Sequence, residues 1–412
     1  MATILPLKGL RPTKDLVDKV ASKPYDVLNS DEARVEAKGN SYSFLHVVKP
    51  EIDLPPTVDL YDDKVYKKGK DNLQKFIDEG VLIREKKECF YLYRLNWKQV
   101  SQIGLVGLAS VTEYENDTIK KHEKTRADKE KDRVKHVKTQ NANAGPIFLT
   151  YRQSNRIDSL LIEEIQKTPL YDFSCGDSVQ HTIWKIDDKD KIEKLVDEFK
   201  GIKNLYVADG HHRSASAAIV GRQKREANPN HTGNESYNFF LSVLFPHDEL
   251  FIMDYNRVVK DLNGLNISEF LEKLSKNFHI EKVNKEFKPK TPHTFGMYLN
   301  GSWYSLIIKK GVIPSNDPKG NLDTSLLQNL VLEEILGIDD PRTDKRIDFV
   351  GGIRGLQELK KRVDKDSAVS FALFPTSVQQ LMAIADAGEI MPPKSTWFEP
   401  KLRSGIIVNI LD

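Results

Sequence analysis

Cysteine is almost absent from this chain of 412 residues: Cys89 and Cys175 are the only two. They show neither a pairing pattern nor metal-ligand spacing, which argues against a disulfide framework or a cysteine-based zinc site. Long apolar runs are missing too. The longest strongly apolar stretch, Phe239 to Phe245, falls far short of the ~20 residues a membrane span needs. Neither sign of charge prevails, since 62 Lys and Arg stand against 60 Asp and Glu for a formal +2. That balance gives no argument for a nucleic-acid or anionic membrane partner. The start, Met1-Ala2-Thr3-Ile4-Leu5-Pro6, lacks the charged head and apolar core of a signal peptide. The expectation is a soluble, cytoplasmic protein that binds neither nucleic acid nor membrane. No Gly-x-x-x-x-Gly-Lys-Ser/Thr loop, Gly-x-Gly-x-x-Gly turn or protein-kinase signature occurs, so the common nucleotide folds are excluded.

What is present alternates helix and strand signals without an internal repeat. The length exceeds one ordinary domain. Ile192, Leu195, Val196 and Phe199 follow a helical stripe, Leu205–Ala208 reads as a strand, and an alanine-rich helix runs to about Val220. From Gly221 to Gly233 the composition is that of a loop, and Tyr237–Phe245 reads as a buried strand. The succession predicts an α/β (α+β) fold with a mixed-sheet core. Two lobes are expected, 1–250 and 251–412, both contributing to one active-site cleft. Linker composition at Lys285–Pro292 suggests that the boundary falls between residues 250 and 290. Strand signals at Val369–Phe374 and Gly405–Leu411, and helix signals after Asp323 and after Thr376 or Ser377, fill the C-terminal third.

The most informative stretch is Tyr206-Val207-Ala208-Asp209-Gly210-His211-His212-Arg213. An apolar strand ends at an aspartate, a glycine turns the chain, and two histidines and an arginine open a helix. A helix N-terminus with cationic side chains beside it suits a phosphate group. Asp209 can hold a divalent metal or accept a proton, with His211 beside it. Gly210, His212 and Arg213 form the cradle. The plainer reading makes Asp209 an N-cap and the histidines surface residues.

A second cluster is the charged segment from Asp117 to Lys138. On a helix, Ile119, Val134 and Val137 share a stripe with His122, Glu123, Arg126 and Glu130. Charges on an inward face need partners or a polar pocket. This marks Glu123 as a candidate base or metal ligand, with His122, Thr125 and Arg126 near it. Further cations sit at Arg257 in Asp254-Tyr255-Asn256-Arg257 and at Arg354 in Gly351-Gly352-Ile353-Arg354-Gly355. The loop from Lys394 through Ser395 and Thr396 to Arg403 has the look of a phosphate grip. Pro24-Tyr25-Asp26-Val27 suits an ordinary turn or part of a site equally well.

These segments, taken in order with Lys121-His122-Glu123-Lys124-Thr125 and Met391-Pro392-Pro393-Lys394-Ser395-Thr396, identify a resemblance to domain-of-unknown-function family 1015. The resemblance spans essentially the whole chain. The Asp-Gly-His-His-Arg element is also similar to that of free serine kinases with a ParB-like fold. The resemblance implies a kinase that phosphorylates the hydroxyl of L-serine to O-phosphoserine, for cysteine synthesis, with inorganic pyrophosphate as donor and Mg²⁺ as cofactor. Asp209 or Glu123 would hold the metal or serve as base, Asp209 being the expected metal ligand, and His211 would join them as a catalytic residue of the phosphate cradle. ATP- or ADP-dependent serine phosphorylation, a ParB-like nucleotide-binding protein and a metal-dependent phosphohydrolase are the competing expectations.

Overall fold

Two separate sheets organise the chain, whose computed structural model describes residues 1–314 and 317–411. One unit comprises Met1–Lys121, Thr125–Leu250 and Pro400–Asp412; the other comprises His122–Lys124 and Phe251–Glu399. The first unit holds a nine-stranded mixed sheet. Its central path runs Ile119–Lys120, Leu205–Asp209, Ile147–Tyr151, Phe239–Pro246, Val100–Ser110, Phe90–Trp97, Gln180–Ile186 and Tyr171–Ser174. Two of the pairings are parallel: Leu205–Asp209 with Ile119–Lys120, and Phe239–Pro246 with Ile147–Tyr151. Strands buried on both faces read as continuous apolar runs, and Phe148, Leu149, Leu205, Val207, Phe240 and Leu244 are all essentially inaccessible to solvent. The fold class is α/β with a mixed-sheet core, as the alternation of elements predicted.

The second unit carries a six-stranded antiparallel sheet ordered Phe278–Val283, Ser302–Ile308, Thr294–Leu299, Val369–Ala372, Tyr255–Val259 and Ile347–Gly351. Its core joins Phe270, Phe278, Phe295, Met297, Leu306, Leu327 and Phe371. The helix begun at Asp323 passes into a π-helical turn, Gln328–Glu333, and Gly337 turns out of it at φ +64°. Ser377 caps the Val378–Asp386 helix through a capping box with Gln380.

Several local expectations are corrected. The helix of residues 211 onward continues to Ala227, so Gly221 lies inside it and not in a loop. A methyl there would sit 2.5 Å from the Tyr237 carbonyl oxygen, so glycine permits a close backbone approach. Ile119 is in a strand, and the helix of the charged segment begins only at Ala127, so His122, Glu123 and Arg126 are not on a helical stripe. Pairing of Ile119 with Leu205 overrides the helical pattern. Lys285–Pro292 is no linker between units; it lies between the Phe278–Val283 and Thr294–Leu299 strands, both of which pair with Ser302–Ile308. Pro400–Asp412, expected in the C-terminal lobe, belong to the first unit, where Asn409 and Ile410 pair with Asn143 and Ala142. Only Asn409–Ile410 of the expected final strand is regular, supplemented by bridges from Ser404 to Ser22 and from Val408 to Leu10. Among the described residues no helix is long and apolar enough to cross a membrane.

Candidate functional site

The Leu205–Asp209 strand loses register against Ile147–Tyr151 between Val207 and Asp209, a bulge that re-aims the last side chain. Gly210 then adopts φ +99°, a conformation that glycine reaches without strain, and serves as N-cap of the His211–Ala227 helix. No side chain caps this helix, and its first turn carries no acid. Asp209 is therefore not its N-cap. The helix opens with its dipole uncompensated by any capping oxygen, the arrangement that suits an anion.

Around the turn, charges are paired closely. The Asp209 carboxylate lies 3.3 Å from Lys401 Nζ and 3.5 Å from Arg213 Nη2. Arg213 Nη2 also lies 3.9 Å from Asp26, and Nη1 donates to the Pro146 carbonyl. Burial alone would push the Asp209 carboxyl up; Lys401 and Arg213 overcome it and hold the group far below the usual carboxylate range. Burial would pull the Arg213 guanidinium down, but Asp26 and Asp209 raise it above its ordinary value. His211 is buried, and burial lowers it to about 3, with His212 and Arg213 adding to that effect against Asp209. It is a neutral imidazole at physiological pH. His212 Nε2 accepts the Arg126 backbone N–H at 3.1 Å. Thr125 donates to Glu130 at 2.8 Å, while the exposed Arg126 side chain pairs with Asp128.

Arg403 does not share this cradle. Its buried guanidinium pairs with Asp177 and donates through Nε to His181 Nε2 at 3.4 Å. His181 Nδ1 lies 2.7 Å from the Tyr93 hydroxyl, and burial followed by the Arg403 charge lowers the imidazole to about 3. This chain of contacts ties the C-terminal segment to the sheet. The cation of that segment that meets Asp209 is Lys401. Lys401 lies in the loop read as a phosphate grip and Asp26 in a stretch read as turn or site, but that Lys401 meets Asp209, 192 positions away, leaves no local signal.

The second unit gathers the other candidates. His122 Nε2 lies 3.4 Å from Thr396 Oγ1, and the His122 carbonyl accepts the Met391 N–H at 2.8 Å. Glu123 lines a cavity of about 600 Å³ together with Ser325, Gln328 and Met391. Arg257 is buried and is spent on carbonyls: Tyr255, Lys394 at 2.9 Å and Pro393 at 3.1 Å. Burial lowers its guanidinium to about 10. Ser395 is a loop tie, donating to Pro392 O at 2.6 Å and bonded to Thr324 at 3.0 Å. Lys394 holds φ +57° with its ammonium 5.6 Å from the Tyr255 ring centroid. Arg354 is exposed at the end of a short 3₁₀ turn.

No curated protein matches the chain. Among solved structures, a conserved hypothetical protein from Pyrococcus furiosus is 15% identical with a TM-score of 0.35, covering 71% of this chain and 93% of its own. SbnI from Staphylococcus aureus, truncated at its C-terminus, is 12% identical with a TM-score of 0.41, covering 74% and 87%. A free serine kinase in complex with AMP is 13% identical with a TM-score of 0.37, covering 76% and 94%. The family profile is far more direct, matching residues 4–325, well over half of the chain. The chain belongs to the family of proteins of unknown function designated DUF1015.

Proposed function

We propose that this protein is a phosphotransferase that carries a phosphoryl group onto an alcohol, with free L-serine as acceptor and pyrophosphate as donor. The observation that carries the reading is the uncapped helix start at Gly210, with Arg213 and Lys401 held beside it by Asp209. Phosphoryl transfer runs through a loose transition state, so positioning and charge neutralisation do most of the catalysis. The donor's transferred phosphate would take the helix N-terminus, Arg213 and Lys401, releasing Asp209 from one of its cations. The serine oxygen attacks phosphorus, the bridging P–O bond breaks, and inorganic phosphate leaves with that bond's electrons. Asp209 is ionised and a weak base, so its role is to orient the hydroxyl and take its proton late in the transfer. Neutral His211 can donate or accept one hydrogen bond without adding charge.

Mg²⁺ is the proposed cofactor. A carboxylate lying between two cations is a poor sole ligand for it, so Asp209 as it stands does not fit that part. The ion would arrive with pyrophosphate, bound by the donor's own oxygens, and would supply neutralisation of the donor charge. Glu123, on the wall of its cavity, is the other carboxylate proposed to serve as base.

The deciding experiment incubates the full chain with L-serine, Mg²⁺ and pyrophosphate, ATP or ADP in turn, and follows products by phosphorus NMR. O-phosphoserine with pyrophosphate is the expected result. Phosphate release that ignores serine would replace the reading with a hydrolase, and product only with ATP or ADP would replace the donor. Asp209→Asn keeps the shape and is expected to lower kcat by about 100-fold, the scale of general acid–base contributions, with its circular dichroism unchanged. Glu123→Gln is expected to do the same if Glu123 is the base; unchanged turnover in both variants would defeat the mechanism.

A further inference from the structure

Behind Arg213 the first unit encloses a second, smaller cavity, whose wall includes Tyr25, Arg133, His136, Asn143, Arg213 and Ser404. Its volume is about 50 Å³. One water needs only about 10–15 Å³ of filled space, so several non-hydrogen atoms fit. Two arginines line it, and among the described residues no carboxylate does. Their counter-charges lie elsewhere: Arg133 pairs with Asp132 at 2.6 Å, and Arg213 with Asp209 and Asp26.

Two of the lining residues carry a buried polar atom with no hydrogen-bond partner among the described residues, Arg213 Nε and His136 Nδ1. Arg213 spends its two terminal nitrogens on Pro146, Asp209 and Asp26, so Nε is the edge left over. His136 is 6% exposed, and burial, then Arg133 and Lys49, hold it well below its ordinary pKa. A buried donor without a partner is costly, and a fold retains one where a ligand supplies the partner. Gly145 keeps the space open, because a methyl there would lie 3.2 Å from Ser404 Oγ and 4.0 Å from Arg213 Cδ.

We propose that this cavity binds a small carboxylate, held by Arg213 Nε and His136 Nδ1 in the field of Arg133. One free guanidinium N–H and one neutral imidazole match the two oxygens of a carboxylate; a phosphate dianion would find too few donors. On the phosphotransfer reading, the carboxylate is that of the acceptor amino acid, and Arg213 serves donor and acceptor from its two edges. The identity of the ligand's body rests on that reading, while the preference for a carboxylate does not. Tyr25 and Asp26, ambiguous in the sequence, thereby acquire a role on either side of Arg213.

The test titrates the full chain with L-serine, glycine, L-serinamide and inorganic phosphate while following the ring resonances of His136, assigned with His136→Phe. Serine and glycine are expected to move those resonances to saturation, whereas serinamide and phosphate bind at least about tenfold more weakly. His136→Phe keeps an aromatic ring against Tyr66, and Gly145→Ala adds one methyl to another wall. Each is expected to weaken serine binding by at least about tenfold in calorimetry, and the two sit in different elements so that one failing to fold leaves the other decisive. Equal affinity for serine and serinamide, unmoved His136 resonances, or wild-type serine binding in both variants would overturn the site. Carboxylate binding without any O-phosphoserine from any donor sinks the phosphotransfer reading alone; O-phosphoserine formation with carboxylate-blind serine binding sinks this inference alone.

Discussion

Arg213 and Arg257 are two largely buried guanidinium groups, one in each unit, and their surroundings move them in opposite directions. Burial disfavours both charges. Beside Asp26 and Asp209 the loss is reversed and Arg213 rises above its ordinary value. Among the carbonyls of Tyr255, Pro393 and Lys394 it is not, and Arg257 falls to about 10. Carbonyl oxygens satisfy a guanidinium's geometry without cancelling its charge. A cation paired to carboxylates at an uncapped helix can exchange a partner for an anionic ligand. One whose donors are spent on loop carbonyls is a staple. Both were candidate phosphate ligands by sequence, and only the partners tell them apart.

The largest effect expected from this contrast is on Arg257. Its removal strands three carbonyls and leaves a void, so Arg257→Ala should cost about 3 kcal/mol or more of stability in urea unfolding. A variant that unfolds like the wild type but binds donor poorly would show that Arg257 is a ligand residue after all. Arg213→Ala should do the reverse. Loss of a charge-assisted phosphate contact of about 1.5–3 kcal/mol predicts a donor affinity lower by about 10- to 100-fold, with a smaller change in stability because Lys401 still pairs with Asp209. If calorimetry finds donor affinity unchanged, the turn does not grip phosphate.

Why one arginine could be ranked and the other not is a matter of sequence distance. The strand, the aspartate, the glycine and the helix of the turn are local, and each follows from residues within one short stretch. The bulge at Val207/Asp209 and the left-handed Gly210 refine that picture without changing it. Lys401 and Asp26, which set the electrostatics, approach from distant parts of the chain; their own stretches drew notice, but nothing local pairs either of them with the turn. The Glu123 stripe shows the opposite failure. Its helical spacing is present in the sequence, but its first residue, Ile119, pairs into the sheet. Arg403 failed for a third reason: a cation in a loop rich in hydroxyls can equally serve a buried ion pair, here with Asp177.

A pH effect separates the buried histidines from the charged pairs. His181 and His211 are each lowered to about 3, chiefly by burial, from an ordinary value of 6.5. Between those values the unfolded chain binds a proton that the folded chain does not. Stability therefore rises with pH across this window, is complete above 6.5 and is lost as pH falls toward 3, by at most ~1.4 kcal/mol per unit for each group. His181→Gln, tested by urea unfolding at pH 7 and at pH 4.5, should flatten this slope even if it lowers stability overall. An unchanged slope would mean that His181 is not held neutral. His211→Gln should flatten it likewise, which makes the pair a check on whether the turn's imidazole is as dry as the core's.

The smallest effect concerns two glycines that look alike in sequence, each between a strand and a helix. Gly352 has ordinary backbone angles, and a methyl there would meet the buried Asp254 carboxylate at 2.6 Å. Its reason is close packing. Gly210 is glycine for its φ of +99°, and the three atoms nearest a methyl there would all belong to the Arg213 side chain, Nε at 3.1 Å and Cζ at 3.2 Å first. Gly210→Ala is therefore expected to lose only about 1–2 kcal/mol from left-handed strain. It should also push the guanidinium away from Asp209, so that donor affinity falls more than the small stability loss would suggest. Gly352→Ala is expected to disturb stability and leave donor affinity alone. Donor titration of both variants, with unfolding midpoints measured in parallel, decides it. If Gly210→Ala leaves donor affinity at the wild-type level, the position of Arg213 is not what the glycine protects, and the turn's conformation serves the fold alone.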